Sequence, residues 1–197
     1  MRSGQKVVIG VGGRIGTGKT TVAKIFSDLG AQCISADEIG WDVLPEITDV
    51  LKNEFGEGIM LGGKIDKQKL RDLVFSDAHN LEFLNRVSHP ILTKRIIEKT
   101  EDVRLGVVVI DAALLFDWPE VCEIVDYSIL VRARREIMLA RAKAKGISEH
   151  LFEKIVSKQK DEREMMAKAS YVIENNGTIT ELKEKCQKIY EEINDGC

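Results

Sequence analysis

The residues best suited to chemistry form a glycine-rich loop near the start of the chain. The loop reads Gly13-Arg14-Ile15-Gly16-Thr17-Gly18-Lys19-Thr20 and matches G-x-x-x-x-G-K-[ST] at every fixed position. Its glycines let backbone N–H groups turn inward as a concave anion site, because no Cβ stands in the way. Lys19 adds a cation for the outer phosphates, and the Thr20 hydroxyl can bind Mg²⁺. The spacing therefore predicts a P-loop that binds a nucleoside triphosphate.

The sequences on either side of the P-loop supply the elements that would position it. Lys6 to Val11 are apolar and β-branched, which predicts a strand, and Thr21 to Leu29 place apolar side chains at helical spacing. A strand, a glycine loop and a helix are the context in which this pattern binds phosphate. The alternative is a glycine-rich turn that contains Lys-Thr by chance. The helix is expected to begin near Lys19, so that the positive end of its dipole faces the phosphates.

Size and composition limit the classes of protein that the chain can represent. It has 197 residues, of which 44% are apolar and 31% are charged, and this is typical of one globular domain. The net charge of −3 argues against a general nucleic-acid binder, so any basic site must be local. No apolar run reaches membrane-spanning length, and the first predicted strand begins too early for a signal peptide to precede it. We therefore expect a cytoplasmic protein that binds neither nucleic acid nor membranes.

The cysteines do not have the spacing of a metal site or of a disulfide framework. They are Cys33, Cys122, Cys186 and Cys197, and no two of them form a paired motif. We expect all of them to be reduced thiols.

Two acidic residues follow predicted strands and are candidates for catalysis and metal binding. Gln32 to Ser35 predict a second strand, and Asp37 stands just beyond it. Leu105 to Asp111 predict a strand that is buried on both faces and ends in an acid. Ligands gather at the carboxyl ends of strands in open α/β sheets. Asp111 thus has the layout of a Walker-B carboxylate, which holds Mg²⁺ directly or through water, although a strand-end Asp can instead cap the next helix.

The remaining patterns complete an α/β fold. Tyr127 to Val131 and Tyr171 to Glu174 predict two further strands, which gives a five-stranded parallel sheet in the three-layer α/β/α arrangement of P-loop NTPases. From residue 38 to about 104 the strands stop, and we expect a helical insertion of the kind that often binds an acceptor. Its predicted helices run from Ile47 to Phe55, Gln68 to Phe75, Leu81 to Val87 and Ile91 to Lys99, with Pro90 in the first turn of the last one.

A basic region lies between the last two predicted strands. A helix from Ala133 to Lys145 is expected to end at Gly146, and Ser148 is expected to open another helix that extends through Arg163. The candidate cations of this region are Arg141, Lys145, Lys154 and Arg163. They could belong to a lid that closes over the triphosphate and stabilises charge in the transition state. The alternative is a solvated charged surface, because acidic residues alternate with these cations.

A turn follows the last predicted strand. It consists of Asn175, Asn176 and Gly177 on the side of the sheet where the nucleotide is expected, so Asn176 is a candidate for contact with the base. Thr178 to Glu181 have the pattern of a capping box and predict the start of a final helix that extends to about Ile193.

The motifs that accompany a P-loop indicate which class of nucleotide-binding protein the chain represents. A GTPase would require Asn-Lys-x-Asp, which is absent. Asp37 to Gly40 match the switch motif Asp-x-x-Gly, but they follow the second predicted strand, where a switch motif is not expected. The Leu-Ser-Gly-Gly signature of transporter ATPases is also absent. A small phosphotransferase remains, in which Asp37 takes or orients the proton of an acceptor hydroxyl and Lys19 helps to neutralise the transferred phosphoryl group. The alternative class is a nucleotide-dependent switch that binds partners and has no small acceptor.

In this order and spacing, the motifs resemble the dephospho-CoA kinase family over nearly the whole chain. The residues that carry the resemblance are Gly13 to Thr21, Ser35 to Ile39, Phe55-Gly56, Gly63 to Asp66 with Leu70, Val74-Phe75, Leu81, His89-Pro90, Val109 to Phe116, Gln159 and Tyr171 to Gly177. The resemblance implies ATP-dependent phosphorylation of the ribose 3′-hydroxyl of dephospho-CoA, the last step of coenzyme A synthesis. Another small-molecule or nucleotide kinase is the alternative within the same chemistry.

The resemblance also implies an organisation and a set of site residues. One P-loop kinase domain (1–197) would contain a core at about 1–37, 105–132 and 170–197, an acceptor-binding insertion at about 38–104 and a lid at about 133–169. Gly16 to Thr21 would bind ATP, with Gly13, Arg141 and Asn176 as further candidates; Thr20 and Asp111 would hold Mg²⁺; Asp37 and Lys19 would be catalytic; and Lys64, His89 and Pro90 would belong to the acceptor site. His89 could equally be a histidine at a helix start with no ligand. The expected substrates are ATP and dephospho-CoA, and the protein is expected to be a monomer or a small homo-oligomer.

The chain departs from the family at several positions. The family usually has Asp where this chain has Ser35, Arg near Gly40-Trp41, Pro where it has Ala112 or Ala113, and Arg at Lys154. The cation that contacts the acceptor is therefore not identified by the resemblance. Trp41 could either offer a stacking surface or pack in the interior.

Overall fold

A five-stranded parallel sheet forms the centre of the fold. The structure, a computed structural model, describes residues 6–195. Its strands are β1 (Lys6–Gly12), β2 (Gln32–Ser35), β3 (Met60–Leu61), β4 (Lys64–Ile65), β5 (Gly106–Asp111), β6 (Tyr127–Arg132) and β7 (Tyr171–Glu174). The main sheet has the order β2-β5-β1-β6-β7 with every pairing parallel, while β3 and β4 form a separate antiparallel hairpin. The predicted five-stranded parallel sheet is thus confirmed, with β1 as its central strand.

Ten α-helices accompany these strands within the described residues. They are α1 (Lys19–Asp28), α2 (Ala36–Val43), α3 (Thr48–Phe55), α4 (Lys67–Ser76), α5 (Ala78–Asp102), α6 (Pro119–Glu123), α7 (Arg135–Ala144), α8 (Glu149–Lys158), α9 (Glu162–Lys168) and α10 (Ile179–Asp195). Short 3-10 helices span Leu44–Ile47, Glu57–Ile59 and Leu115–Asp117. The chain divides into two compact units: the first runs up to Ala36 and resumes at Ile96, and the second is Asp37–Arg95. The assignment of a core, an acceptor-binding insertion and a lid stays a prediction.

Strand β1 lies at the centre of the core of the first unit. Its Ile9 and Val11 are fully buried and share one apolar core with Phe26 of α1 and with Cys186 and Ile193 of α10. The run of β1 is continuously apolar rather than alternating, as burial of a parallel strand on both faces requires. Both ends of the P-loop are therefore anchored in elements that belong to a packed core.

Two glycines of β1 let the segment after β5 approach closely. A Cβ on Gly10 would lie 2.7 Å from a methyl carbon of Leu115, and a Cβ on Gly12 would lie 2.7 Å from a ring carbon of Phe116. Glycine at these positions allows the 3-10 helix to pack directly on the strand that leads into the P-loop.

The second unit has its own small core. Its buried side chains include Val43 of α2, Leu51 of α3, Leu70 and Val74 of α4 and Leu92 of α5. Asp66 starts α4, because its carboxylate accepts hydrogen bonds from the N–H groups of Gln68 and Lys69 at 2.9 and 3.2 Å. The spacing of Leu70 and Val74 predicts a helix that packs through one apolar face, as α4 does.

The prediction that the insertion contains no strands is wrong. Met60 pairs with Ile65, and Leu61 pairs with Lys64, across a turn made by Gly62 and Gly63. Strands of two residues are too short to show an alternating pattern. The sequence also did not predict α2, which begins directly after β2.

Pro90 lies inside a helix rather than at the start of one. The two helices predicted on either side of it are a single 25-residue helix, α5. Pro cannot donate to the carbonyl one turn earlier, and its ring crowds that carbonyl. Leu92, Ile96 and Thr100 on the following turns are buried, however, and packing of this kind outweighs local propensity. The predicted helix start at Pro90 is therefore wrong.

The single helix predicted from Ser148 through Arg163 is two helices. α8 ends at Lys158, and α9 begins at Glu162 with Asp161 as its N-cap. The Asp161 carboxylate accepts a hydrogen bond from the Arg163 N–H at 2.8 Å. Asp161 is thus a helix start signal that the expected single helix did not take into account.

Two expectations from the sequence concern membrane-spanning segments and disulfides. Within residues 6–195, no helix combines the length and the apolar character that crossing a bilayer requires. Within residues 6–195, Cys33, Cys122 and Cys186 form no disulfide, and Cys197 lies outside the described residues. Burial raises the pKa of the Cys186 thiol to about 11, so this thiol stays protonated at neutral pH.

The start of α10 offers a test of local stability. The predicted capping box is confirmed: the Glu181 N–H donates to the Thr178 hydroxyl at 3.3 Å, and the Thr178 N–H donates to the Glu181 carboxylate at 2.9 Å. Thr178→Ala should lower the free energy of unfolding by about 1 kcal/mol, because it removes the hydroxyl that caps the helix. Urea denaturation measures the change. Thr180→Ala, at an exposed position in the same turn, is the control, and equal stability of the two variants would contradict the prediction.

Candidate active site

The P-loop occupies the carboxyl end of the central strand, between β1 and α1. Gly16 and Gly18 have φ angles of +78° and +94°, in the left-handed region that side chains disfavour. A Cβ on Gly16 would also collide with the carbonyl oxygen of Met138, and a Cβ on Gly18 with the side-chain amide of Asn175. Conformation and space therefore both require glycine, and left-handed residues in such a loop turn successive N–H groups toward an anion.

Arg141 and Asn175 bind the backbone carbonyls of the P-loop. The Arg141 guanidinium donates to the carbonyls of Thr17 and Asn175 at 3.2 and 3.1 Å, and the Asn175 amide donates to the Thr17 carbonyl at 2.8 Å. Thr17 is buried, and its hydroxyl donates to the Arg14 carbonyl at 2.8 Å. Thr17 and Arg141, both predicted to contact ATP, thus use their side chains to hold the loop itself.

The connection between α8 and α9 holds the outer part of the P-loop. The Ile15 N–H donates to the Gln159 side-chain oxygen at 3.0 Å, and the Arg14 guanidinium donates to the Lys160 carbonyl at 2.8 and 3.2 Å. The Lys160 ammonium in turn donates to the Phe116 carbonyl at 2.9 Å. The sequence connects Gln159 only with the family resemblance. It does not predict this contact, because no local pattern links two residues that are 144 positions apart.

A buried ion pair connects the P-loop to β5. Lys19 Nζ lies 3.2 Å from Asp111 Oδ1, and the two side chains are 13% and 4% exposed. The parallel register places Val11 of β1 opposite Asp111, so the acid lies level with the start of the loop. The 3-10 helix after β5 has Leu114 as its N-cap and no side-chain cap. The alternative that Asp111 caps the next helix is therefore wrong, and its carboxylate pairs with Lys19 instead.

The oxygen donors near this ion pair suit Mg²⁺ bound together with a triphosphate. Mg²⁺ prefers oxygen ligands, and in nucleotide sites it takes one or two protein groups and completes its shell with water and phosphate oxygens. Asp111 supplies a carboxylate, and Thr20, the residue after Lys19, supplies an exposed hydroxyl. The described part of the chain contains no group of three or more His, Cys, Asp or Glu that could hold a metal alone. This donor set fits a metal that is bound jointly with the nucleotide.

A cavity that is largely open to solvent lies next to Asn176 at the carboxyl end of β7. Its volume is about 550 Å³, and its lining consists of Glu174, Asn176, Gly177, Glu181, Glu184 and Lys185. The Asn176 side-chain oxygen accepts the Arg134 N–H at 2.7 Å, and its amide donates to Glu174 at 3.2 Å. A cavity of this volume is in the range of small-ligand sites, so it is large enough for a nucleotide base.

The predicted lid cations lie on different elements. Arg141 belongs to α7, Lys145 follows it, Lys154 lies on α8 and Arg163 on α9. Among these cations, within residues 6–195, Arg141 alone hydrogen-bonds to the P-loop. The structure therefore connects one of the predicted cations with the loop and does not connect Lys145, Lys154 or Arg163 with it.

The residues predicted to contact the acceptor lie in the second unit. Asp37 is the second residue of α2 and is exposed. Lys64 lies in the β3–β4 hairpin, while His89 and Pro90 lie in the middle of α5. Three different elements thus contribute these residues. His89 does not stand at a helix start, so that interpretation of it is wrong.

Comparison with known proteins gives consistent results over nearly the full length. The family model of dephospho-CoA kinase matches residues 7–181. A dephospho-CoA kinase of Aquifex aeolicus is 36% identical over 190 residues, which cover 94% of this chain and 96% of that protein. A dephospho-CoA kinase of Fusobacterium nucleatum is 31% identical, covering 95% of this chain and 98% of that protein.

Solved structures agree at the level of the fold. TT1252 from Thermus thermophilus superimposes with a TM-score of 0.78 at 28% identity, covering 95% of this chain and 98% of that one. Dephospho-CoA kinase from Campylobacter jejuni gives 0.69 at 23% identity, with coverage of 98% and 99%. Shikimate kinase from Acinetobacter baumannii gives 0.60 at 17% identity, with coverage of 98% and 95%. The last two likenesses support the P-loop kinase fold alone.

Gln159→Ala tests whether the connection between α8 and α9 organises the P-loop. The variant leaves the Ile15 N–H without its acceptor and loosens the loop, so we expect the affinity for a non-hydrolysable ATP analogue to fall about fivefold to tenfold. Isothermal titration calorimetry measures the change. Gln187→Ala is the control, because the Gln187 amide pairs with Glu191 on the exposed surface of α10. Equal affinity of the two variants would show that Gln159 does not organise the loop.

Proposed function

The chain belongs to the dephospho-CoA kinase family, and from this premise we propose how its own residues transfer a phosphoryl group from ATP to the ribose 3′-hydroxyl of dephospho-CoA. The family match spans residues 7–181. The observation that carries the proposal is a P-loop whose Lys19 forms an ion pair with Asp111 of β5. This is an anion site with a mobile cation and a metal-binding acid, as phosphoryl transfer from ATP needs.

The first unit binds the donor ATP. The N–H groups of the P-loop from Gly13 through Thr17 and Gly18, together with Thr20 and Thr21 in the first turn of α1, surround the phosphates. Lys19 moves from Asp111 to the phosphate oxygens and neutralises part of their charge. Thr20 and Asp111 would hold Mg²⁺, which would neutralise charge on the phosphates.

Contacts beyond the P-loop complete the donor site. The cavity beside Asn176 and Gly177 takes the adenine base. Arg141 keeps the loop in shape, and Lys145, Lys154 and Arg163 are the cations available to a lid. The predicted cytoplasmic location and the monomeric or small homo-oligomeric state stay predictions.

The second unit acts on the acceptor. Asp37 accepts a hydrogen bond from the ribose hydroxyl and either takes its proton or orients it. Because phosphoryl transfer proceeds through a loose transition state, positioning of the hydroxyl contributes more than its full deprotonation. Lys64, His89 and Pro90 contribute to the surface on which the acceptor lies.

Turnover with a panel of acceptors tests the function. The full-length chain is incubated with ATP, Mg²⁺ and either dephospho-CoA, a nucleoside monophosphate or no acceptor, and both ADP and the phosphorylated product are measured. We expect ADP and coenzyme A in equal amounts with dephospho-CoA, and loss of turnover when EDTA removes the metal. Turnover of the monophosphate but not of dephospho-CoA would indicate a different kinase. Slow hydrolysis that is independent of any acceptor would indicate a nucleotide-dependent switch.

Asp37→Asn separates catalysis from ATP binding. Asn can accept a hydrogen bond but cannot take up a proton, so we expect kcat to fall about 100-fold or more, while the Kd for an ATP analogue stays unchanged. Asp42→Asn is the control, because Asp42 is an exposed acid of the same helix α2. Normal turnover of Asp37→Asn would remove this residue from the mechanism.

A further inference from the structure

Trp41 of α2 carries two cations of α4 over its ring. Lys67 Nζ lies 4.7 Å from the ring centroid, and the guanidinium carbon of Arg71 lies 5.7 Å from it. Both distances fall within the range of cation–π attraction, about 6 Å. Lys67 and Arg71 are one helical turn apart on α4, so their side chains share one face of that helix. The ring therefore holds two positive charges side by side.

Neither cation is paired with a carboxylate in the part of the chain that the structure describes. In the same unit, Lys52 pairs with Glu57 at 2.7 Å, whereas Lys67 and Arg71 have the indole ring as their partner. An aromatic face attracts a cation but leaves its charge and its N–H donors available. Both cationic side chains are exposed, so an anionic ligand can reach them.

The position of Trp41 relative to Asp37 suits a particular anion. Trp41 follows Asp37 by four residues in α2, so the two residues share a face, and their backbone positions are about 6 Å apart along the helix axis. In dephospho-CoA the ribose carries its reactive hydroxyl on the 3′-carbon and the diphosphate on the 5′-carbon, and these two groups are separated by a similar span. A ribose hydroxyl at Asp37 would therefore place the diphosphate at the cations over Trp41.

We propose that Lys67 and Arg71, held by Trp41, form the binding site for the diphosphate of the acceptor; this inference rests on the function proposed above. The Arg71 guanidinium forms paired hydrogen bonds to one phosphate, and the Lys67 ammonium acts as a mobile charge for the other. The site selects acceptors that carry a 5′-diphosphate over nucleosides that lack one. Trp41 is a positioning residue, because it contacts the cations rather than the ligand.

Steady-state kinetics of the full-length protein test this site. Lys67→Ala and Arg71→Ala should each raise the KM for dephospho-CoA about tenfold, because each removes a charge-assisted contact to phosphate. The double variant should raise it further. The KM for ATP and the kcat at saturating acceptor should stay unchanged, since the lost contact binds substrate and transition state equally. Lys67→Arg, which keeps the charge, should restore most of the affinity, whereas Arg71→Lys should restore only part of it, because Lys cannot form the paired hydrogen bonds.

The contribution of the ring is tested separately. Trp41→Leu leaves both cations in place but removes the surface that aligns them, so the KM for dephospho-CoA should rise about threefold. Trp41→Phe keeps an aromatic face and should recover part of this loss. Calorimetric titration with dephospho-CoA in the absence of ATP should show the same order of affinities.

The matched control is Arg86→Ala. Arg86 is also an exposed cation over an aromatic ring in the second unit, 5.2 Å from the centroid of Phe83, and its removal should leave the KM for dephospho-CoA unchanged. A normal KM in the double variant, an equal rise in Arg86→Ala, or a fall in kcat at unchanged KM would each overturn the inference. Absence of turnover of dephospho-CoA by the unmodified protein is a distinct result, which would overturn the proposed function and the inference with it.

Discussion

The Arg141 guanidinium binds the carbonyls of Thr17 and Asn175 together, and the form of the P-loop depends on this contact. A loop that offers its N–H groups to an anion must satisfy its carbonyl groups elsewhere, because buried carbonyls without donors are costly. Arg141 and the Asn175 amide supply these donors from two different elements. Glycine at positions 16 and 18 is required for the same reason, since a Cβ there would displace Met138 or Asn175. The loop is therefore organised before a nucleotide is bound, which reduces the ordering cost of binding.

The ion pair of Lys19 and Asp111 neutralises two charges that the same site places in a nearly buried position. A site for a triphosphate and a metal needs a cation and a carboxylate in a nearly buried position, and either charge alone would be strongly destabilising there. At 3.2 Å the two groups neutralise each other. In the proposed complex, phosphate and Mg²⁺ would become their partners, and each charge would exchange one counter-ion for another. The register of β1 and β5 places Val11 opposite Asp111 and so brings the carboxylate to the level at which Lys19 can pair with it.

The sequence predicts those features that neighbouring residues determine and misses those that distant residues determine. The apolar run of β5 and the reciprocal bonds of Thr178 and Glu181 are local, and both were predicted. Pro90 has a strong local tendency to begin a helix, but packing of the turns beyond it extends α5 through that position. In the site, the P-loop pattern predicts the strand, the loop and the helix. It does not predict the Arg141 and Gln159 contacts, because a long polar side chain carries no local signal of its partner.

The two substrates would be recognised by different physical means. ATP would be bound mainly by backbone groups of a loop whose shape is set by buried contacts, and salt screens buried contacts less than exposed ones. The acceptor would be bound by the exposed side chains of Lys67 and Arg71 over Trp41, whose attraction for phosphate is screened over about 8 Å at physiological ionic strength. The N–H groups of the loop would recognise phosphate whatever side chains surround the loop. Exposed cations such as Lys67 and Arg71, by contrast, can be replaced by other residues without disturbing the core.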